Sequence, residues 1–478
     1  MVNSDGRVYA AFDGRDSENG VWTSPTGNGA WNRIAQNTTT VGWESTGRIV
    51  LGAAPSNENI IYALFNNGDE GSIEADFWKY DASTEVWTDY TSKLPDEPDG
   101  DLKGNDPFAI QGGYDLVVSV KPDDENFVTI GGTNVYKIEN LVNDATFTRI
   151  GGYTSNTSYG TYAVGGVKHH PDIHALVYDP NNANILFSGT DGGVHKTTDI
   201  NADQVAWQSL NNNYVTYQFY HIAMDQMTGS NFVIGGAQDN GTKYGGTDVG
   251  LADNTSMTHF YGGDGVAVGI ARRGEDNNIQ IYFGSQNGNF MTNYPNFKEL
   301  TPDGSDSQFV TYFYLDPDNT EQLYYAGKSI LYKTNDAENV TTTTWDNLGA
   351  LASGEYLKTF ATTRGAYDTA SSYLLIGGDK GGVYRLNDPK NATAISDAVN
   401  ITPPQASTTE GTIVSGLAIH PTNPDIVMAV YGNYGIYNIF ITENATSNTP
   451  TWSLVENILN AHSIRSAAIV ALQNEDIY

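Results

Sequence analysis

Residues 185–199 read ILFSGTDGGVHKTTD: an apolar strand, a turn of Asp and Gly, a second strand ending on Lys and Thr, then Asp. Asp-Gly-Gly suits a tight reversal, because Asp hydrogen-bonds its own backbone and Gly accepts positive φ. The pattern returns in LYYAGKSILYKTND (323–336), LLIGGDKGGVYRLND (374–388) and VTIGGTNVYKIEN (128–140). Looser copies are IYFGSQNGNFMTN (281–293), VIGGAQDNGTKY (233–244) and VMAVYGNYGIYNI (427–439). An apolar segment precedes several of these hairpins: LVVSVKPDD (116–124), HALVYDP (174–180), YFYLDPD (312–318) and GLAIHPTNP (416–424). These segments read as innermost strands that end in polar turns. Trp31, Trp87, Phe147, Trp207, Trp345 and Trp452 follow the hairpins and would open an outermost strand that covers the space between sheets.

A four-stranded unit repeated about nine times, with no helical period, predicts an all-β chain of β-propeller blades over the whole sequence. The expected arrangement is part of a tandem of propellers of about seven blades each, with one ring of about nine or ten blades as the alternative. The repeats themselves mark no boundary between two propellers. GRVYAAF (6–12) matches a second strand, whereas 465–472 match a first strand and EDIY (475–478) the start of a second. The sequence is therefore expected to be a portion of a longer chain.

Composition narrows the function. Gly accounts for 51 of 478 residues and aromatics for 12%, which suits many tight turns and ring packing between sheets. No apolar run approaches the roughly 18 residues of a membrane span, so no membrane insertion is expected. The 24 Lys and Arg stand against 56 Asp and Glu, a net charge of −32 that argues against nucleic acid as a partner and leaves cations and basic proteins open. With no Cys, disulfides, thiolate catalysis and Cys-based metal sites are excluded. Phosphate-loop, dinucleotide and HExxH motifs are absent too.

The middle of the chain carries the polar motifs: HHPDIH (169–174), GTDGG (189–193), GAQDNG (236–241) and GGDG (262–265). In a propeller blade, the turn between strands two and three opens on the same face as the connection entering strand one. The side chains of these motifs are therefore expected to converge on one rim from three consecutive blades. Three of the eight His lie in HHPDIH, and in an extended strand His170, Asp172 and His174 would alternate onto one side. Two imidazoles and a carboxylate suit Zn or another transition metal, with Asp191 or Asp264 as a further oxygen ligand. The alternative is that these groups hydrogen-bond the neighbouring turns. DEPDGD (96–101) and PDGSDSQ (302–308) have the composition of calcium loops without the spacing, so Ca remains open through carbonyls and scattered Asp.

Asp191, Asp239 and Asp264 are the candidate catalytic carboxylates. Glycoside cleavage needs two such groups roughly 5 to 10 Å apart across the scissile bond. The competing reading is turn chemistry. Tyr214, Tyr217, Tyr220, Gln238 and Tyr261 are the candidate ligand-binding residues, since flat rings with hydroxyl tips beside a polar rim suit sugar stacking or peptide capture.

KTTD (196–199) before Trp207, KTND (333–336) before Trp345, and TSPTGNGAW (23–31) resemble the Asp-box (BNR) repeats of sortilin-like and xyloglucanase-like (GH74-like) propellers. Insertions between Asp199 and Trp207 and between Asp336 and Trp345 depart from the family pattern. HPDIHALVYDP, GTDGGVHKTTD, IGGAQDNGT and YGGDG further resemble large secreted proteins of the Bacteroidetes type, which carry a sorting signal for type IX secretion. The resemblance implies a secreted or cell-surface location and, if it extends to the xyloglucanase-like enzymes, an Asp pair in a cleft between propellers. The leading expectation is recognition of polysaccharide or protein through a polar, aromatic rim. A glycoside hydrolase using an Asp pair and a spacer module of a large surface adhesin are the alternatives.

Overall fold

The computed structural model describes residues 1–478 apart from 14–16, 38, 70–71, 99–104, 144–145, 160, 167, 213, 215–216, 248–250, 252–256, 456–461, 472–475 and 478. The end of DEPDGD, parts of the stretch 211–221, and residues 475 and 478 of EDIY thus lie outside the described residues. The chain is an all-β propeller whose contacts divide it into two units, Met1–Thr216 and Tyr217–Tyr478.

Among the described residues, the first unit holds a three-stranded sheet and then three four-stranded antiparallel sheets. Innermost strands of the latter are Ile49–Ala53, Val117–Val120 and Ile173–Asp179, and successive ones touch. The second unit holds five four-stranded sheets, whose innermost strands are Phe219–Met224, Val268–Arg273, Tyr312–Leu315, Leu357–Thr362 and Val414–Ile419. It also contains the pair Val470–Ala471 and Asp476–Ile477. Every sheet runs in sequence order, so each blade is an up-and-down meander. Among the described residues no helix is long and apolar enough to cross a membrane.

The strand types differ because the blades are stacked. Second strands such as Leu323–Gly327, Tyr373–Gly378 and Val427–Tyr431 are buried at every position. A neighbouring sheet covers both faces, so the strand reads as a continuous apolar run rather than an alternation. Outermost strands such as Val86–Asp89 and Gln208–Ser209 are largely exposed.

Two recurring contacts fasten one blade to the next. The Trp at the outermost strand sends its indole N–H back to a carbonyl of the preceding blade: Trp87 to Ile34 at 2.8 Å, Trp207 to Ile150 at 2.7 Å, Trp345 to Leu300 at 2.8 Å and Trp452 to Ile401 at 2.8 Å. Phe147 takes the same sequence position without a donor and packs against the apolar core. The cation closing the third strand reaches forward instead. Lys137 Nζ donates to the Ile200 and Ala202 carbonyls at 3.3 and 3.0 Å. Lys333 Nζ donates to those of Pro389 and Lys390 at 3.3 and 2.5 Å, and Arg385 to those of Ala445 and Ser447. All three cations are buried, and burial lowers the pKa of Lys333. A cation taken from water keeps its charge here because main-chain oxygens replace the lost hydration.

Trp345→Phe keeps the ring but loses the donor, and should destabilise the second unit by about 1 kcal/mol. Lys333→Met strands the buried Pro389 carbonyl and the half-buried Lys390 carbonyl, and should cost about 1–3 kcal/mol. Urea titrations followed by tryptophan fluorescence would measure both; equal stability of Lys333→Met and the parent would show that the cation contributes nothing.

Candidate functional site

The four polar motifs divide between the units. HHPDIH and GTDGG lie in the first, GAQDNG and GGDG in the second.

In the first unit, residues 169–174 lead into the strand Ile173–Asp179. Asp172 N–H and Ile173 N–H donate to Thr133 O and Gly132 O at 2.9 and 3.0 Å, which anchors the segment to the preceding blade's hairpin turn. This anchorage holds Asp172 in the left-handed region, with φ 62°. The expected alternation of His170, Asp172 and His174 on one strand therefore does not form, because the strand begins only after Asp172. Each His takes a different environment. His169 is buried against His195 and Trp207, with ring centroids 4.7 and 4.3 Å away, and burial holds its pKa well below the ordinary value. His170 lies against the Tyr162 ring, its Nδ1 3.0 Å from Pro171 O. A Cβ on Gly192 would come within 2.3 Å of the His170 ring, so the turn tolerates only Gly there.

His174 reaches the rim, where its Nε2 lies 2.5 Å from Asp191 Oδ1 and 3.6 Å from Asp115 Oδ1. Asp191 N–H closes the same corner by donating to Asp172 O at 3.3 Å. A carboxylate oxygen of Asp172 is within 4.8 Å of one of Asp191. Gln111 Nε2 donates to Asp172 Oδ1 at 2.7 Å, and the exposed Tyr114 ring stands edge-on to His174, centroids 5.0 Å apart. Asp115 is 0% exposed and Asp172 7%. Burial, then the Asp191 charge, pushes the Asp115 carboxyl up to about 7. Burial, then the charges of Asp115 and Asp191, pushes Asp172 to about 8. The pair thus holds a proton far above the ordinary carboxylate range.

Sequence reading had not singled out Gln111, Tyr114 or Asp115. Asp115 stands two residues before the strand Val117–Val120 and Asp172 directly before Ile173–Asp179, so both lie at blade entries. Tyr214 is exposed in this unit, just after the outermost strand Gln208–Ser209.

In the second unit, a chain of hydrogen bonds runs along the rim. Asp239 N–H donates to Asp264 Oδ1 at 2.8 Å, and Asp264 N–H donates to Gln286 Oε1 at 2.9 Å. Asp239 has φ 58°, as its hairpin turn requires. The Asp264 carboxylate and the Asp239 backbone are therefore both built into turn architecture. Tyr220 Oη donates to Gln238 Oε1, and Tyr220 is 39% exposed. Burial, followed by the charges of Asp264 and Asp239, raises its pKa. Tyr217 is 43% exposed, with the Lys243 ammonium 5.3 Å from its ring centroid. Tyr261 differs: its ring packs on Phe283, centroids 4.9 Å apart, and belongs to the interblade packing. A cavity of about 300 Å³ also opens between the innermost strands of this unit, lined by Ile222, Met224, Val268, Tyr312 and Lys358 among others.

No family model matches the chain, and no curated protein matches it. Among solved structures, an ancestral GH74 enzyme superposes on 100% of this chain and 75% of its own length, at 14% identity and a TM-score of 0.52. A GH74 enzyme of Niastella koreensis matches 96% of this chain and 67% of its own, at 14% identity and a TM-score of 0.44. The GH74 xyloglucanase of Xanthomonas campestris matches 96% and 68%, at 11% identity and 0.38. The ancestral enzyme shares the fold of this chain, a GH74-like β-propeller. The other two superpose too loosely to carry an argument.

The raised carboxyls make stability depend on pH. Between the ordinary carboxylate value and about 8, the folded state binds more protons at Asp115 and Asp172 than the unfolded state does. The slope of unfolding free energy with pH is then negative. Their contribution is fully present below the unfolded value and lost as pH rises through about 7 to 8. With a chelator present, the melting temperature of the first unit should fall over that window, and Asp115→Asn should flatten the fall. A melting temperature that rises over the same window would contradict this assignment.

Proposed function

We propose that this chain recognises polysaccharide outside the cell through the rim of its second unit, with Tyr217 and Tyr220 as stacking platforms and Gln238 as the orienting amide. The observation that carries the reading is the exposure of these two rings beside a side-chain amide whose oxygen is already committed to Tyr220. A half-exposed phenol offers a flat apolar face to the C–H side of a sugar ring. The Gln238 nitrogen keeps two N–H donors for sugar hydroxyls. The GH74-like fold supports a carbohydrate ligand, and the likeness of the central motifs to secreted Bacteroidetes-type proteins supports an extracellular location.

Affinity electrophoresis through gels containing β-glucan, xyloglucan, xylan, mannan or pectin tests this. The chain should be retarded by at least one of them, and Tyr217→Ala with Tyr220→Ala should weaken that binding about tenfold per ring. Equal retardation of the double variant would remove the rim from the binding site. Retardation by none of the polysaccharides would favour the spacer role. Release of new reducing ends in the same incubations, abolished by Asp239→Asn or Asp264→Asn, would replace recognition with glycoside hydrolysis.

A further inference from the structure

The cavity of the second unit is not used by that reading. Four consecutive innermost strands wall it: Phe219–Met224, Val268–Arg273, Tyr312–Leu315 and Leu357–Thr362. Its volume of about 300 Å³ is that of a small-molecule site. Ile222, Met224 and Val268 give it apolar wall. No Asp or Glu is among the described residues that line it, although 56 of the 478 residues are acidic, and Lys358 is the one Lys or Arg there. Solvent reaches His221, yet the ring is enclosed enough for burial to lower its pKa, as at the wall of a wet cavity.

Lys358 differs from the cations that clamp blades. Lys333 and Arg385 each donate to two main-chain carbonyls, whereas half-buried Lys358 donates to a single amide oxygen, Gln308 Oε1 at 2.5 Å, and lies 5.4 Å from the Tyr312 ring centroid. Gln308 Nε2 donates to Leu357 O at 3.0 Å, so the amide that holds the ammonium is itself held. Burial lowers the Lys358 pKa, and the charge of Asp379, whose Oδ1 already accepts the Tyr356 N–H at 2.8 Å, offsets the fall only in part. Two ammonium N–H groups are left for a further acceptor. The Tyr312 hydroxyl and the His221 ring nitrogens make no hydrogen bond among the described residues, and the two rings stand 6.3 Å apart. The cavity also adjoins the rim. Tyr220 directly precedes His221, and burial, then Tyr220, pushes the Tyr312 phenol up to about 12. The exposed Arg465 guanidinium works against the rise at both phenols, so a second cation is within electrostatic reach of the rim ring and the cavity ring.

We infer that this cavity receives the carboxylate of a uronic-acid residue, held by Lys358 Nζ with the Tyr312 hydroxyl beside it and Arg465 as the outer cation, so that the polysaccharide read by the rim is an acidic one. This rests on the rim reading and names the class of its ligand. A fixed ammonium and a neutral hydroxyl suit a planar monoanion with two acceptor oxygens, and the apolar wall suits the C–H face of the sugar that carries it. The net charge of −32 does not bar such a ligand, because exposed charges beyond about 8 Å are largely screened at physiological salt and the cavity itself is lined by a cation.

Isothermal titration calorimetry of the full chain at neutral pH and physiological salt tests this. The probes are trisaccharides of galacturonate, glucuronate and mannuronate, each beside its carboxyl-reduced counterpart, and a sulfated galactose trisaccharide. At least one uronate should bind about tenfold tighter than its reduced form and tighter than the sulfate ester. Lys358→Met should bring that uronate down to the affinity of the reduced sugar without lowering the melting temperature, and Lys358→Arg should restore part of the preference. A lysine of merely structural role would instead lower the melting temperature and both affinities together. Tyr217→Ala with Tyr220→Ala should weaken the acidic and the reduced sugar alike. Reduced sugars that bind as tightly as the uronates, and lose affinity in the rim variant, would overturn the carboxylate site and leave the rim reading standing. A uronate preference unchanged in Lys358→Met, or a sulfate ester bound as tightly, would overturn the assignment too. Binding of none of the trisaccharides would overturn both readings.

Discussion

Several blades within each unit are held to a neighbour by polar contacts that work only when both blades are present. A Trp indole donates backward to a main-chain oxygen, and a buried Lys or Arg donates forward to two others. A four-stranded sheet exposes two apolar faces, so no blade can bury its own core. Stacking removes both faces from water, and the N–H and ammonium donors satisfy carbonyls that stacking would otherwise orphan. The apolar area drives the association without direction, and the hydrogen bonds set its register.

That register is what makes a site. In an up-and-down blade, the entry to the first strand and the turn between the second and third lie at one end. Stacking then brings the turn of one blade beside the entry of the next. In the first unit this meeting sets Asp115 against Asp172, Asp191 and His174; in the second it links Asp239, Asp264 and Gln286. Buried charge is concentrated in the first place and exposed aromatic surface in the second.

Much of the blade plan was legible in the residues. The innermost strands fell where HALVYDP, YFYLDPD, GLAIHPTNP and LVVSVKPDD placed them, and the hairpin turns where Gly and Asp cluster. Four of the six marked aromatics proved to be the Trp residues that clamp neighbouring blades. The candidate sites were less legible. Alternation along an extended strand put His170 with Asp172 and His174, but a backbone anchored to the preceding turn left Asp172 at positive φ and broke the alternation. Tyr261 looked like a rim residue beside GGDG, yet its ring is taken up by packing on Phe283.

The sequence by itself determined the four-stranded period, the tight turns and the absence of thiol chemistry, because each follows from side chains a few residues apart. Only the tertiary structure decided which polar groups meet. Asp115 and Asp172 are far apart in the chain and belong to different blades. Neither carries a local sign that burial will strip it of water and set it against another carboxylate.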